Sequence, residues 1–158
     1  MDRKKISLIV PCYNESEALP FFFAETDRVM SAMTEYDFEE IYVDDGSSDG
    51  TLSLLRERAA SDPSARYVSF SRNFGKESAM LAGLRTATGD YVAILDADLQ
   101  DPPSMLPEML RIINEKGVDS VATRRVTRKG EPPIRSFFAK CFYKIVNRIS
   151  KVKLVPGA

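Results

Sequence analysis

Histidine is absent from this chain of 158 residues, and that absence closes off several chemistries. No Ser-His-Asp or Cys-His pairing can form within the chain, and no zinc site built on imidazole. A metal held here must be held by oxygen, which points to magnesium or manganese. Cysteine is scarce: Cys12 and Cys141 stand far apart and in no ligand spacing, a usage that suits a reducing compartment. Long apolar runs are missing too, since nothing approaches the ~18 consecutive apolar residues of a membrane span. The start, Met1-Asp2-Arg3-Lys4-Lys5 and one short apolar run, lacks the h-region and cleavage site of a signal peptide. Neither repeats nor low-complexity tracts occur.

What remains is an ordinary globular composition, 44% hydrophobic and 28% charged, in about one domain's length. The net charge of −1 hides a division. Residues 124–153 carry ten Lys/Arg against a single acid, Glu131, and the rest of the chain carries 12 basic and 22 acidic side chains. An acidic body is thus joined to a basic tail.

Apolar, β-branched runs at Ile6–Val10, Glu40–Val43, Arg66–Phe70 and Tyr91–Leu95 predict buried strands, the first ended by Pro11. Between them, helices are predicted over about 17–33, capped from Asn14-Glu15-Ser16, over about 51–60 and over about 75–87. A further helix over about 103–116 and a short strand at Asp119–Thr123 complete the pattern. Alternation of this kind predicts an α/β fold, a mostly parallel sheet with helices on both faces. Ligands of such sheets bind beyond the carboxyl ends of the strands, which is where the polar segments fall.

Asp96-Ala97-Asp98 follows the fourth strand. Two carboxylates one residue apart repel unless a cation lies between them, and Gln100 adds an amide oxygen; the alternative is a loop that caps the next helix. Asp44-Asp45-Gly46-Ser47-Ser48-Asp49-Gly50-Thr51 offers acids that accept hydrogen bonds from ribose or base, or else a solvated turn and helix cap in which Asp49 serves. Pro11-Cys12-Tyr13-Asn14-Glu15 adds an aromatic for stacking on a base, unless Tyr13 is a core residue. Neither GxGxxG nor GxxxxGK[ST] is present, so nicotinamide cofactors and P-loop chemistry lose support.

With Arg72-Asn73-Phe74-Gly75-Lys76, these segments resemble the inverting family 2 glycosyltransferases of the GT-A (Rossmann-like) fold. Within that family the resemblance is to the polyprenyl-phosphate branch of bactoprenol glucosyltransferases and dolichyl-phosphate mannose synthases. It implies that Pro11, Tyr13, Glu15 and Asp44, with Asp45 beside it, line the nucleotide. It implies a divalent metal on Asp96, Asp98 and Gln100, with Asp96 and Asp98 at the catalytic centre. Arg124, Arg135 and Lys76 are expected at the donor phosphates, where positive charge and the guanidinium fork stabilise anions. The expected reaction moves a hexose, favoured as glucose from UDP-glucose with mannose from GDP-mannose as the alternative, onto a polyprenyl phosphate at the cytoplasmic face of a membrane. No nucleic acid partner is expected.

Residues 1–133 are expected to form the nucleotide-sugar domain and 134–158 a basic amphipathic helix segment. There Ile134, Phe137, Phe138, Cys141, Phe142, Ile145, Val146 and Ile149 follow helical spacing. That apolar stripe either lies in a membrane surface, with residues 134–153 facing lipid, or packs on protein. The family pattern runs on to an acceptor side and membrane helices beyond Ala158, so a fragment is expected, active or retaining only nucleotide binding. A nucleotidyltransferase would show a basic Gly-rich loop after the first strand. A receiver-type signalling domain would carry its acidic pair there, and here the pair follows the second strand.

Overall fold

A computed structural model describes residues 3–123. The chain divides into two compact units, Met1–Leu110 and Arg111–Ala158, and the fold below is that of the first. Strand β1 (Lys4–Cys12) leads through α1 (Leu19–Ala32) to β2 (Tyr36–Asp44), and α2 (Thr51–Ser61) leads to β3 (Ala65–Ser69). Helix α3 (Lys76–Thr86) precedes β4 (Tyr91–Ile94), followed by a 3-10 turn at Pro103–Met105 and α4 (Leu106–Lys116). All strand pairs are parallel, in the order β3-β2-β1-β4.

Both faces of β1 are covered, which is why it reads as a continuous apolar run. Ile6, Leu8, Val10 and Cys12 enter one core, with Phe22 and Val29 of α1, Leu55 of α2, and Leu106 and Leu110 of α4. Phe22 and Phe23 meet the ring of Tyr42 edge-on, at centroid distances of 6.4 and 5.4 Å. On the opposite face Ile41 and Val43 pack on Ala79 of α3. Gly83 brings α3 close to the sheet: a Cβ there would lie 2.3 Å from Ile9 Cγ2. Chain direction explains the division of helices. Right-handed crossovers stepping from β1 to β2 to β3 keep α1 and α2 on one face, and the reversal to β4 sends α3 to the other. The α/β class with helices on both faces is therefore present, although α3 leaves Val92 and Ile94 of β4 over 40% exposed.

Local expectations are corrected at three places. Pro11 does not end β1, which pairs with β2 as far as Cys12. Ile9 O accepts from Leu95 while Cys12 O accepts from Asp45. Alternation therefore turns the Pro11 nitrogen toward the β4 side, where β4 has already ended, and no ladder bond is lost. Asn14-Glu15-Ser16 does not supply a side-chain cap to α1, whose first turn is closed by Glu15 O accepting from Ala18 and Leu19. Asp119–Thr123 forms no strand; among the described residues it has no strand partner, and a ladder needs one. No helix among the described residues is long and apolar enough to cross a membrane.

A buried charge sits under α1 and α2. Glu40 is fully buried in β2, and Arg58 of α2 reaches it with Nε at 2.9 Å and Nη2 at 2.8 Å. Asp27 and Asp62 share the same guanidinium. Burial pushes the Glu40 carboxyl above its ordinary range, while Arg58 pulls it back. Arg58→Met is expected to cost about 3 kcal/mol at neutral pH, because it leaves a buried carboxylate uncompensated. Protonation relieves that charge, so the deficit should grow as pH rises through the elevated Glu40 value and shrink below the ordinary carboxylate range. Urea unfolding of parent and variant across pH 4–8 would check both the size and the sign.

Candidate functional site

The strand order reverses between β1 and β4, and a cavity of about 260 Å³ opens at their carboxyl ends. Such a switch point forms a crevice because the two following loops run off in opposite directions. Pro11, Cys12, Tyr13 and Glu15 line it from the β1 side, and Asp96, Ala97 and Asp98 from the β4 side. Asp45, Lys76 and Ala79 complete the lining. Tyr13 is 47% exposed, so its ring is available to a ligand and is not a core residue.

Hydrogen bonds between loops fix this arrangement. Asn14, in the left-handed region at φ 56°, accepts from Ser48 N–H at 2.9 Å, and its own N–H donates to Ser47 Oγ. Thr51 Oγ1 accepts from Glu15 N–H at 2.8 Å, and Asp49 accepts from the N–H groups of Ser16 and Thr51. Burial opposes ionisation of Asp49, but those hydrogen bonds outweigh it and hold its carboxyl below the usual range. Asp49 is thus a turn and cap residue that also joins the β1 and β2 loops.

The paired acids after β2 have different partners. Asp44, 1% exposed, accepts from Ser47 N–H and from Ser69 Oγ at 3.0 Å, and it does not line the cavity. Asp45, 3% exposed, accepts from Phe74 N–H at 2.7 Å and Gly75 N–H at 2.9 Å, tying down the loop before α3. Gly46 is needed beneath that loop: its φ is +69°, and a Cβ would lie 2.3 Å from the Arg72 carbonyl carbon. Asn14, a candidate by its place after the first strand, and Thr51 and Gly46 hold the loops together through partners over 25 residues away in sequence, which residue type alone did not reveal.

Negative charge gathers on the cavity wall. Glu15 is held above its ordinary carboxyl value, first by burial and then by the charges of Asp98 and Asp96. Lys76, at the start of α3, reaches across to Asp96, with Nζ 2.6 Å from Oδ1 and 2.8 Å from Oδ2. Asp98 Oδ1 accepts from Gln100 N–H at 3.0 Å across Leu99, whose φ of 57° closes the turn at a cost of about 1 kcal/mol or more. Gln100 itself is exposed and does not line the cavity.

No group of three or more acidic or sulfur side chains gathers in metal-holding geometry among the described residues. The wall nevertheless fits a hard cation. Asp96 already has both oxygens on an ammonium, and Asp98 faces the same space. Magnesium characteristically takes one or two carboxylates and completes its shell with substrate phosphates and water. Arg124, Arg135 and the amphipathic stretch 134–153 lie outside the described residues.

The parallel sheet, with its acidic motif at the switch point, defines a GT-A-like α/β domain. The chain belongs to glycosyl transferase family 2, whose sequence pattern matches residues 7–153. It is 41% identical over 150 residues to the prophage bactoprenol glucosyl transferase homolog of Escherichia coli K12, covering 95% of this chain and 48% of that protein. It therefore spans about half the length of that curated relative. A mannosyltransferase from Pyrobaculum calidifontis, solved in complex with GDP-Man and Mn2+, superposes with a TM-score of 0.60 at 29% identity, over 72% of this chain and 33% of that one. Mannosyl-3-phosphoglycerate synthase from Rubrobacter xylanophilus shares the fold at a TM-score of 0.68 and 22% identity, over 92% of this chain and 48% of its own.

The role of Asp45 as a loop anchor makes a specific expectation. Asp45→Ala should cost about 2 kcal/mol, the penalty for leaving part-buried N–H groups without their charged acceptor. Asp45→Asn, which keeps one acceptor oxygen, should lose less. Urea unfolding would give the cost, and faster amide exchange confined to Phe74 and Gly75 would locate it; unchanged exchange there would refute the anchor.

Proposed function

We propose that these residues form the donor side of an inverting glycosyltransferase that moves a hexose from a nucleotide sugar to a polyprenyl phosphate. The observation that carries this reading is the meeting of Tyr13 and Glu15 with Asp96 and Asp98 in one cavity at the strand reversal. The exposed Tyr13 ring, with Pro11 beside it, suits a nucleobase, and the half-buried Glu15 suits a base or ribose donor group. Asp44 would serve the nucleotide by holding the loops, and Asp45, which anchors a loop and also lines the cavity, would do both. Asp96 and Asp98 would hold magnesium or manganese, which when bound supplies Lewis-acid stabilisation of the departing diphosphate. Lys76, Arg124 and Arg135 would add positive charge at the phosphates.

In the proposed displacement, an acceptor phosphate oxygen forms a bond to the anomeric carbon as the bond to the nucleoside diphosphate breaks. The acceptor is already an anion, so no strong base is needed, and a chain without histidine can support the step. Likeness to a bactoprenol glucosyl transferase homolog favours glucose from UDP-glucose and a polyprenyl phosphate, and hence action at the cytoplasmic face of a membrane, with residues 134–153 turned to lipid. The GDP-Man complex of the Pyrobaculum calidifontis enzyme favours GDP-mannose as the second donor to try.

Calorimetry of the chain with UDP-glucose, GDP-mannose and UDP, each with and without manganese, tests the reading. Donor binding should tighten with manganese, and a folded sample without metal-dependent nucleotide binding would sink it. Asp98→Asn should remove the manganese-dependent gain by at least about tenfold while leaving thermal stability unchanged, since Asp98 is exposed.

A further inference from the structure

We propose that Lys76 is a built-in counterion of Asp96, which a divalent cation must displace and which the donor diphosphate then takes over. This inference rests on the donor-site reading above. It makes metal and donor binding cooperative, where a simple phosphate clamp would add to donor affinity independently of metal.

Although exposed, Lys76 turns its ammonium toward the acids. Its ammonium lies astride the Asp96 carboxylate, 2.6 and 2.8 Å from the two oxygens, the position a bound cation would compete for. Among the described residues that line the cavity it is the cation, set against Glu15, Asp96 and Asp98. Without it, like charges would face one another across the wall, a repulsion already felt by Glu15.

The base of the side chain is fixed, and its end, paired with Asp96, is exposed. Lys76 is the first residue of α3, directly after Gly75, whose N–H is held by the buried Asp45 at 2.9 Å. Beyond that anchor, the lysine side chain is 53% exposed and has four rotatable carbons with which to swing. A cation on Asp96 competes with the ammonium for the same two oxygens, so metal alone has to weaken the ion pair. A diphosphate offers the released ammonium a new anion in the same cavity, which removes that cost. Each ligand then raises affinity for the other by the same factor, as thermodynamic linkage requires.

The test compares the full chain with Lys76→Met and Lys76→Arg. Free Mn2+ is read by electron paramagnetic resonance, first without nucleotide and then with UDP-glucose or GDP-mannose. Lys76→Met should bind Mn2+ alone about two- to fivefold more tightly, the range set by an exposed ion pair. Its ratio of donor affinities with and without Mn2+ should fall by a similar factor. Lys76→Arg keeps a counterion and should stay near the parent in Mn2+ affinity. Salt should narrow the difference between parent and Lys76→Met, because the lost pair is exposed and screened. Circular dichroism would confirm that the variants fold. Equal or weaker Mn2+ binding by folded Lys76→Met overturns the counterion role while leaving the donor site standing. A parent chain whose donor binding ignores Mn2+ overturns both.

Discussion

Strand β1 is bonded to β2 along its whole length but to β4 only over Ile6–Ile9, and that unequal pairing is the constraint behind the rest of the structure. Beyond Ile9 the two neighbours part company. β2 continues beside Val10, Pro11 and Cys12, while the chain after β4 turns away at Leu95 to present its acids. The gap so formed is the cavity, and Pro11, with no N–H to leave unbonded, fits the side that faces it. A residue with a free N–H there would direct a donor into the crevice. The sheet can tolerate this opening because both faces beneath it are packed, by Ile6, Leu8 and Val10 on one side and by Ile9 against α3 on the other.

A second layer of order lies in the loops. Buried carboxylates usually announce a functional site, yet here the pair at the end of β2, and the exposed Asp49 after it, bind the loops themselves. Asp44 and Asp45 spend their oxygens on Ser47, Ser69, Phe74 and Gly75, and Asp49 spends its own on Ser16 and Thr51. Asp96 and Asp98, like the half-buried Glu15, keep enough exposure to face the cavity. This division has a physical reason. A buried carboxylate must be fully hydrogen-bonded to remain charged, and backbone N–H groups are the donors to hand. A carboxylate meant for a ligand has to retain access, and so it keeps some exposure. The consequence is a rigid wall: loops after β1, β2 and β3 are cross-bonded before any ligand arrives, which lowers the ordering cost of binding.

Much of this was legible in residue order. Alternating β-branched runs and turn-rich segments determined the parallel α/β class and the positions of the four strands. Asp96-Ala97-Asp98, Glu15 and Tyr13 announced themselves by chemistry and by their place after strands. The sequence also marked Lys76 as a cation in a glycine loop, though not its partner. What it could not determine is which loops meet, because strand order depends on non-local pairing. β4 follows β3 in the chain but lies beside β1, and only that reversal places Asp96 and Asp98 opposite Tyr13 and Glu15. The same non-locality hid the partners of Asp45, the approach of Gly46 to Arg72, and the ion pair of Lys76 with Asp96. Composition and spacing thus set the elements and, through the absence of histidine, excluded imidazole chemistry. Tertiary structure decided which carboxylates hold the protein together and which are free to hold something else, because only packing determines which acids are surrounded by backbone donors and which remain open to a ligand.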